Sequence, residues 1–266
     1  MVAIQERLIY IFCVTSEPPL LQQYQLQKGI CVVDVDGLFV TTMDVTDNDF
    51  AENQLQSNLS DVVWLDTKVR EHLDVITSIM QHVKSLIPFN FGTLYKSETS
   101  LIQFIIKYAE KFKKNLVYLE EKEEWAVKLY CNKNKIVENI THLSKKVSDI
   151  NALIQNSSMG KAYILGKKKN EIIENEIINI YNTYSKKIFT KLSILSEEFR
   201  FNPIPNNETL EKEDDMILNV VLLLNKANVE SFIETSDQLI IQHQNIGLNI
   251  EISGPWPCYS FINISH

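Results

Sequence analysis

Five histidines, four cysteines and a surplus of acidic residues are the groups from which this chain could build a reactive or metal-binding centre. His72, His82, His142, His243 and His266 are scattered singly. None is spaced as in His-Glu-x-x-His, where two imidazoles four residues apart share a helix face and grip one zinc ion. Cys13, Cys31, Cys131 and Cys258 include no Cys-x-x-Cys pair, which predicts buried thiols in a reducing compartment rather than disulfides. Asp34 and Asp36 stand close enough to suggest calcium, but the rest of an EF-hand loop is missing. Asp36-Gly37 predicts a tight hairpin turn instead. Asp214 and Asp215 lie in a polar stretch, where carboxylates keep ordinary acidities and do no acid-base work. There is no Gly-x-Ser-x-Gly elbow and no Walker loop, and seven glycines leave little for a phosphate cradle. The expectation is a protein without catalytic residues, cofactor or metal.

The 266 residues suffice for one large or two modest domains, and 45% hydrophobic with 23% charged residues is ordinary globular composition. A formal net charge of -8 argues against nucleic-acid binding, which calls for a basic face. The basic run Lys167-Lys168-Lys169 reads as a solvated helix face. No apolar stretch approaches the roughly 20 residues of a membrane span. The first residues lack a basic start and a long apolar segment, so a cytoplasmic, unprocessed chain is expected.

Residues 7–14 read as a strand, 30–35 and 38–42 as a hairpin, and 61–65 as a further strand. Thr46 is expected to cap a short helix through Asn58, with Asp47 and Asp49 in its first turn. Val69, Leu73, Ile76, Met80, Val83 and Ile87 recur at steps of three and four, predicting an amphipathic helix that Pro88 ends. Leu101, Ile105, Tyr108 and Phe112 repeat the spacing. Between the two helices, Phe89 and Phe91 are expected to plug the first core, with a partner surface as their second possible use. The charged cluster at residues 120–124 marks a boundary between an α+β domain over 1–121 and a second domain over 122–266.

In the second half, Trp125, Val127, Leu129 and Cys131 alternate with Ala126, Lys128 and Tyr130, as on a strand with one face on a core. Ile136, Ile140, Leu143, Val147, Ile150 and Ile154 have coiled-coil spacing. After a break, Ile173, Ile177, Ile180, Tyr184, Ile188, Leu192, Leu195 and Phe199 continue a stripe. An antiparallel helical hairpin over about 132–200 follows, its second arm reaching about 50 Å and partly projecting. Residues 202–215 form a polar, proline-containing loop, and 216–224 a strand covered on both faces. Val229, Phe232, Ile233, Leu239 and Ile240 define a short helix. Ile246, Leu248, Ile250 and Ile252 line a last strand that Gly254-Pro255-Trp256-Pro257 halts, presenting Trp256, Tyr259 and Phe261 from a stiff segment. The order strand, helix, helix, strand, helix, strand resembles a split β-α-β sandwich with an inserted helix pair.

Gly254, Pro255, Trp256, Pro257, Tyr259 and Phe261 resemble the terminal signature of the gas vesicle accessory family F/L. Three other stretches agree in order and spacing: residues 87–95 with Pro88, Phe89, Phe91, Gly92 and Thr93; 124–130 with Trp125, Lys128 and Tyr130; and 160–165 with Gly160 and Tyr163. The chain departs from the family at Cys13, where a glycine is usual, and at 156–159, where the family has a glycine-rich lead-in. The resemblance implies an α+β protein whose second domain is a modified ferredoxin-like fold. It implies a minor accessory role in gas vesicle formation, binding the hydrophobic shell protein and other accessory proteins, with the motif residues as possible partner-binding positions. The expected protein acts as a monomer, without nucleic acid, in the cytoplasm and with the vesicle. A small-ligand-sensing module is the alternative.

Overall fold

The structure, a computed structural model, describes residues 7–20, 29–46, 50, 57–205 and 214–264. The chain is a mixed α+β protein whose contacts fall into two compact units, Met1–Glu123 with Pro255–His266, and Glu124–Gly254. The tail expected within the second domain therefore groups with the first unit.

In the first unit, β1 (Arg7–Thr15) lies between β3 (Leu38–Thr46) and β4 (Leu86–Pro88), and β2 (Ile30–Val35) flanks β3. β5 (Leu94–Tyr95) also pairs with β1. Tyr10, Ile11, Phe12, Cys13 and Val14 are all buried, as a strand covered on both faces requires. The register against β3 shifts between Ile11 and Cys13, a bulge that adds twist at the middle of the sheet. The β2–β3 hairpin turns at Asp36 and Gly37, whose φ values of 55° and 75° are those of the expected tight turn.

α1 (Val62–Met80) begins where a strand was expected at 61–65. Asp61 is the reason: its carboxylate accepts from the backbone N–H groups of Val63 at 2.9 Å and Trp64 at 3.1 Å, capping the first turn. Val62 and Val63 consequently face solvent. The helix was expected to run to Pro88 but ends at Met80, and Leu86–Pro88 join the sheet as β4. Its buried residues are His72, Val75, Ile76 and Ile79. α2 (Glu98–Leu119) starts with a reciprocal capping box between Ser97 and Ser100 and buries Leu101, Ile105, Phe112, Leu116 and Leu119. The short helix expected from Thr46 lies mostly outside the described residues, as does most of the 202–215 loop.

The second unit is built on a sheet in the order β7-β8-β6-β9. These are β6 (Lys122–Cys131), β7 (Glu198–Phe201), β8 (Asp215–Asn225) and β9 (Leu248–Trp256). Trp125, Val127, Leu129 and Cys131 of β6 enter one core with Leu218, Val220, Leu222 and Leu224 of β8 and Leu248 and Ile250 of β9. β9 does not stop at Gly254; pairing continues to Trp256. Gly254 permits this, because a Cβ there would stand 2.9 Å from Trp125 Cδ2 and 3.0 Å from the Glu124 carbonyl.

The hairpin's first arm was expected as one helix and is two, α3 (Lys133–Leu143) and α4 (Lys145–Gln155). Ser144 makes the corner. Its backbone is extended, its N–H still closes α3 on Ile140, and its Oγ accepts from Val147 N–H to start α4. The same hydroxyl donates to Glu176 at 2.6 Å. Lys146 at 2.7 Å and Asn179 at 2.9 Å complete the carboxylate's shell, and these donors hold the acid down at about 2. The second arm, α5 (Met159–Ser193), packs along both and buries Ile177, Ile180, Ile188 and Leu192. It ends before the Phe199 to which its stripe was extended; Phe199 is on β7. α6 (Val229–His243) buries Phe232, Ser236, Leu239 and His243. Among the described residues, no helix is long and apolar enough to cross a membrane.

Candidate interaction surfaces

Four separate stretches of the first unit meet at His72. Tyr10 comes from β1, His72 from the buried face of α1, Phe89 and Gly92 from the β4–β5 connection, and Tyr259 from the tail. The neighbours fix the tautomer. The Phe89 carbonyl, 3.0 Å from His72 Nε2, can only accept, so Nε2 carries the proton. Tyr259 Oη at 3.1 Å shares that proton. Nδ1 then accepts from the Tyr10 hydroxyl at 2.8 Å, and Tyr10 Oη accepts from Gly92 N–H at 3.1 Å. Every group is satisfied with the ring neutral. Burial pushes His72 down to about 4, only partly opposed by the Phe89 carbonyl. Burial likewise pushes Tyr10 up to about 12. Phe12 stacks on the imidazole at 5.6 Å and Phe91 meets it edge-on at 5.9 Å. A cavity of about 210 Å3 adjoins the cluster, with Lys68 and Glu71 among its lining residues.

Most of the motif positions serve this scaffold and its counterpart in the second unit. Phe89 is half-buried and stacks on Phe112 at 6.1 Å; Pro88 is buried in β4. The Thr93 carbonyl accepts from Ile11 N–H at 3.2 Å, and its hydroxyl donates to Asn90 at 2.7 Å. Trp125 is buried against Phe232 at 5.7 Å, Tyr130 is buried and Lys128 half-buried. In the tail, Pro257 and Phe261 are buried and Tyr259 packs into the first core, so the segment expected to present Tyr259 and Phe261 uses them internally. Gly160, Tyr163, Gly254, Pro255 and Trp256 are exposed.

Apolar surface without a core to cover it lies elsewhere. Among the described residues β7 is, with β9, one of the two outer strands of its sheet, and Phe199 and Phe201, two residues apart, put their rings on one face at 5.6 Å. Both contact Phe189 of α5 at 4.9 Å. They remain 45% and 59% exposed, values more usual for polar side chains. A groove of about 420 Å3 runs beside them, lined by Phe189, Phe201, Ile204, Ile217 and Leu218 with Lys186, Ser185 and three asparagines. The sequence reading missed this surface because it carried the helical stripe onto Phe199. The alternation of Phe199 and Phe201, just before Asn202-Pro203, was the available signal for a strand. Among the described residues, no group of three or more histidine, cysteine or acidic side chains is arranged to hold a metal ion.

The chain is similar to known proteins along nearly its whole length. The family model described as "Gas vesicle synthesis protein GvpL/GvpF" matches residues 8–263. Gas vesicle protein L of Streptomyces sp. (strain CB03234) is 22% identical, with 98% of this chain and 94% of the relative aligned. Gas vesicle protein L1 of Halobacterium salinarum is 21% identical over 95% of this chain and 89% of its own length. Among solved structures, the gas vesicle protein GvpF of Anabaena sp. PCC7120 superposes with a TM-score of 0.68 at 18% identity, covering 97% of this chain and 99% of the other. GvpF of Microcystis aeruginosa gives 0.66 at 16% identity with the same coverage.

Proposed function

This chain belongs to the gas vesicle synthesis protein GvpL/GvpF family, and from that premise we propose that it is a non-enzymatic accessory factor that binds the hydrophobic shell protein, with other accessory proteins, while the vesicle forms. The supporting observation is the outer strand β7 with Phe199 and Phe201 beside an apolar groove. An outer strand offers backbone hydrogen bonds to an incoming strand, and flanking aromatic rings supply anchors for its apolar side chains. The -8 net charge keeps a protein with such a surface dispersed. In this reading the exposed motif positions Gly160, Tyr163, Pro255 and Trp256 also touch partners, while the buried ones hold the scaffold. The protein works as a monomer, in the cytoplasm and at the vesicle. The second unit is read as a modified ferredoxin-like domain, supported by its β6, helices, β7, β8, α6, β9 order and its β7-β8-β6-β9 sheet.

The test is capture of purified shell protein by the full chain and by a Phe199→Ala/Phe201→Ala variant. Loss of capture with unchanged melting supports the reading; equal capture by both sinks this surface as the binding site. Deleting the gene is expected to abolish or thin the vesicles. The alternative, ligand sensing, draws on the small cavity beside His72. A thermal shift with small metabolites and no shell-protein capture would favour it.

A further inference from the structure

The distal end of the helical hairpin carries a charge opposite to that of the rest of the chain. Residues 145–169 contain six lysines and one acidic residue, Asp149, within a protein of net charge -8. Lys146 is engaged by Glu176. Among the described residues, no ion pair engages Lys161, Lys167, Lys168 or Lys169. These lysines are interleaved with large apolar side chains. At 100° per residue, Met159, Tyr163, Lys167, Gly160, Ile164, Lys168 and Lys161 follow one another around the outer half of α5. Met159 is 90% exposed, Tyr163 66% and Ile164 68%. Lys167 Nζ lies 5.1 Å from the Tyr163 ring centre, which places charge directly over an apolar surface. The pattern stops at Glu171 and Glu174, so the patch is bounded along the helix.

We propose that this face of α5 docks an acidic amphipathic protein segment, its apolar side chains seated on Met159, Tyr163 and Ile164 and its carboxylates on Lys161, Lys167 and Lys168. Charge complementarity selects the occupant. An extended polyanion such as nucleic acid, or an anionic membrane, presents negative charge far beyond the patch and is repelled by the acidic remainder of the chain. A short acidic segment feels mainly what lies within the screening length of about 8 Å, and along this stretch lysines outnumber acidic residues six to one. Exposed methionine and isoleucine give nothing to a phosphate backbone, whereas they match the apolar stripe of a helix. This surface is separate from the β7 groove, and the two stand or fall independently.

The test is fluorescence anisotropy with the full chain and a labelled peptide carrying leucines at every third or fourth position and glutamates between. A glutamine version of the peptide, phosphatidylglycerol vesicles and duplex DNA serve as competing probes. The glutamate peptide is expected to bind, weakening as salt rises. A Lys161→Glu/Lys167→Glu/Lys168→Glu variant and a Tyr163→Ala/Ile164→Ala variant are each expected to bind about tenfold or more weakly. Their melting curves are expected to match the parent's, since every altered side chain is exposed. Equal binding of parent and variants overturns the proposal. So does stronger binding of DNA or vesicles, which would make the tip a general anionic or lipid surface, and so does equal binding of the glutamine peptide.

Discussion

The cluster at His72 and the groove beside β7 are both rich in aromatic rings, and they treat them in opposite ways. Around His72, Phe12, Phe91 and Tyr259 converge on a buried imidazole whose hydrogen bonds are all met within the unit. Beside β7, Phe199 and Phe201 contact one helix and stay largely exposed. Several residues of the family motifs sit in the first cluster; none sits in the groove. The motif residues in the cluster are tied in by buried hydrogen bonds, so displacing one of them leaves polar groups without partners. The rings beside β7 have fewer neighbours to lose, since both rest on Phe189 of one helix.

The contrast is sharpest at Phe12, the buried ring stacked on the His72 imidazole. Phe12→Ala is expected to cost about 3–5 kcal/mol in denaturant unfolding. Phe201→Ala is expected to stay within about 0.5 kcal/mol of the parent. A comparable loss at Phe201 would make the groove part of the core.

Acid separates the two units more finely. The unfolded chain takes up a proton at His72 below its ordinary value of 6.5, the folded protein only below about 4. Stability of the first unit is therefore complete above that window and falls as pH drops through it, by roughly 3 kcal/mol in all. Thermal melts from neutral pH downward should show this slope, and His72→Gln should flatten it. Glu176 behaves in the opposite chemical sense. Its folded value of about 2 lies below the ordinary 4.5, so its contribution to the second unit is present above 4.5 and is lost as pH falls toward 2. Protection factors of the amides at the start of α4 are expected to fall only in that lower window, and Glu176→Gln should lower them already at neutral pH. The smallest effect on stability is expected at Tyr163→Ala, whose ring covers no core; a clear drop in melting temperature there would mean that the hairpin tip packs on something.

Much of the architecture was legible from local pattern. The Asp36-Gly37 turn, the alternation of Trp125, Val127, Leu129 and Cys131, and the strand at 216–224, buried continuously over 220–224, were each read from local residue types and spacing. The readings that failed share one cause. Periodicity reports which residues prefer burial and says little about where a segment stops. Asp61 turns a valine-rich stretch into a helix because its carboxylate reaches two amides. Ser144 splits an unbroken heptad pattern because Glu176, distant in sequence, receives its hydroxyl. Gly254 lets β9 continue through a proline because Trp125 and Glu124 crowd that position.

Local sequence pattern was enough for the α+β character, the family resemblance and most of the apolar positions that enter the cores. Tertiary structure decided which aromatic residues remain available to a partner. His72 reads as one of five scattered histidines until the fold brings Tyr10, Phe89 and Tyr259 around it, and Tyr259 reads as displayed until the tail groups with the first unit. Burial is a property of distant chain segments meeting, so a residue's own neighbours in sequence cannot reveal whether its surface is already occupied.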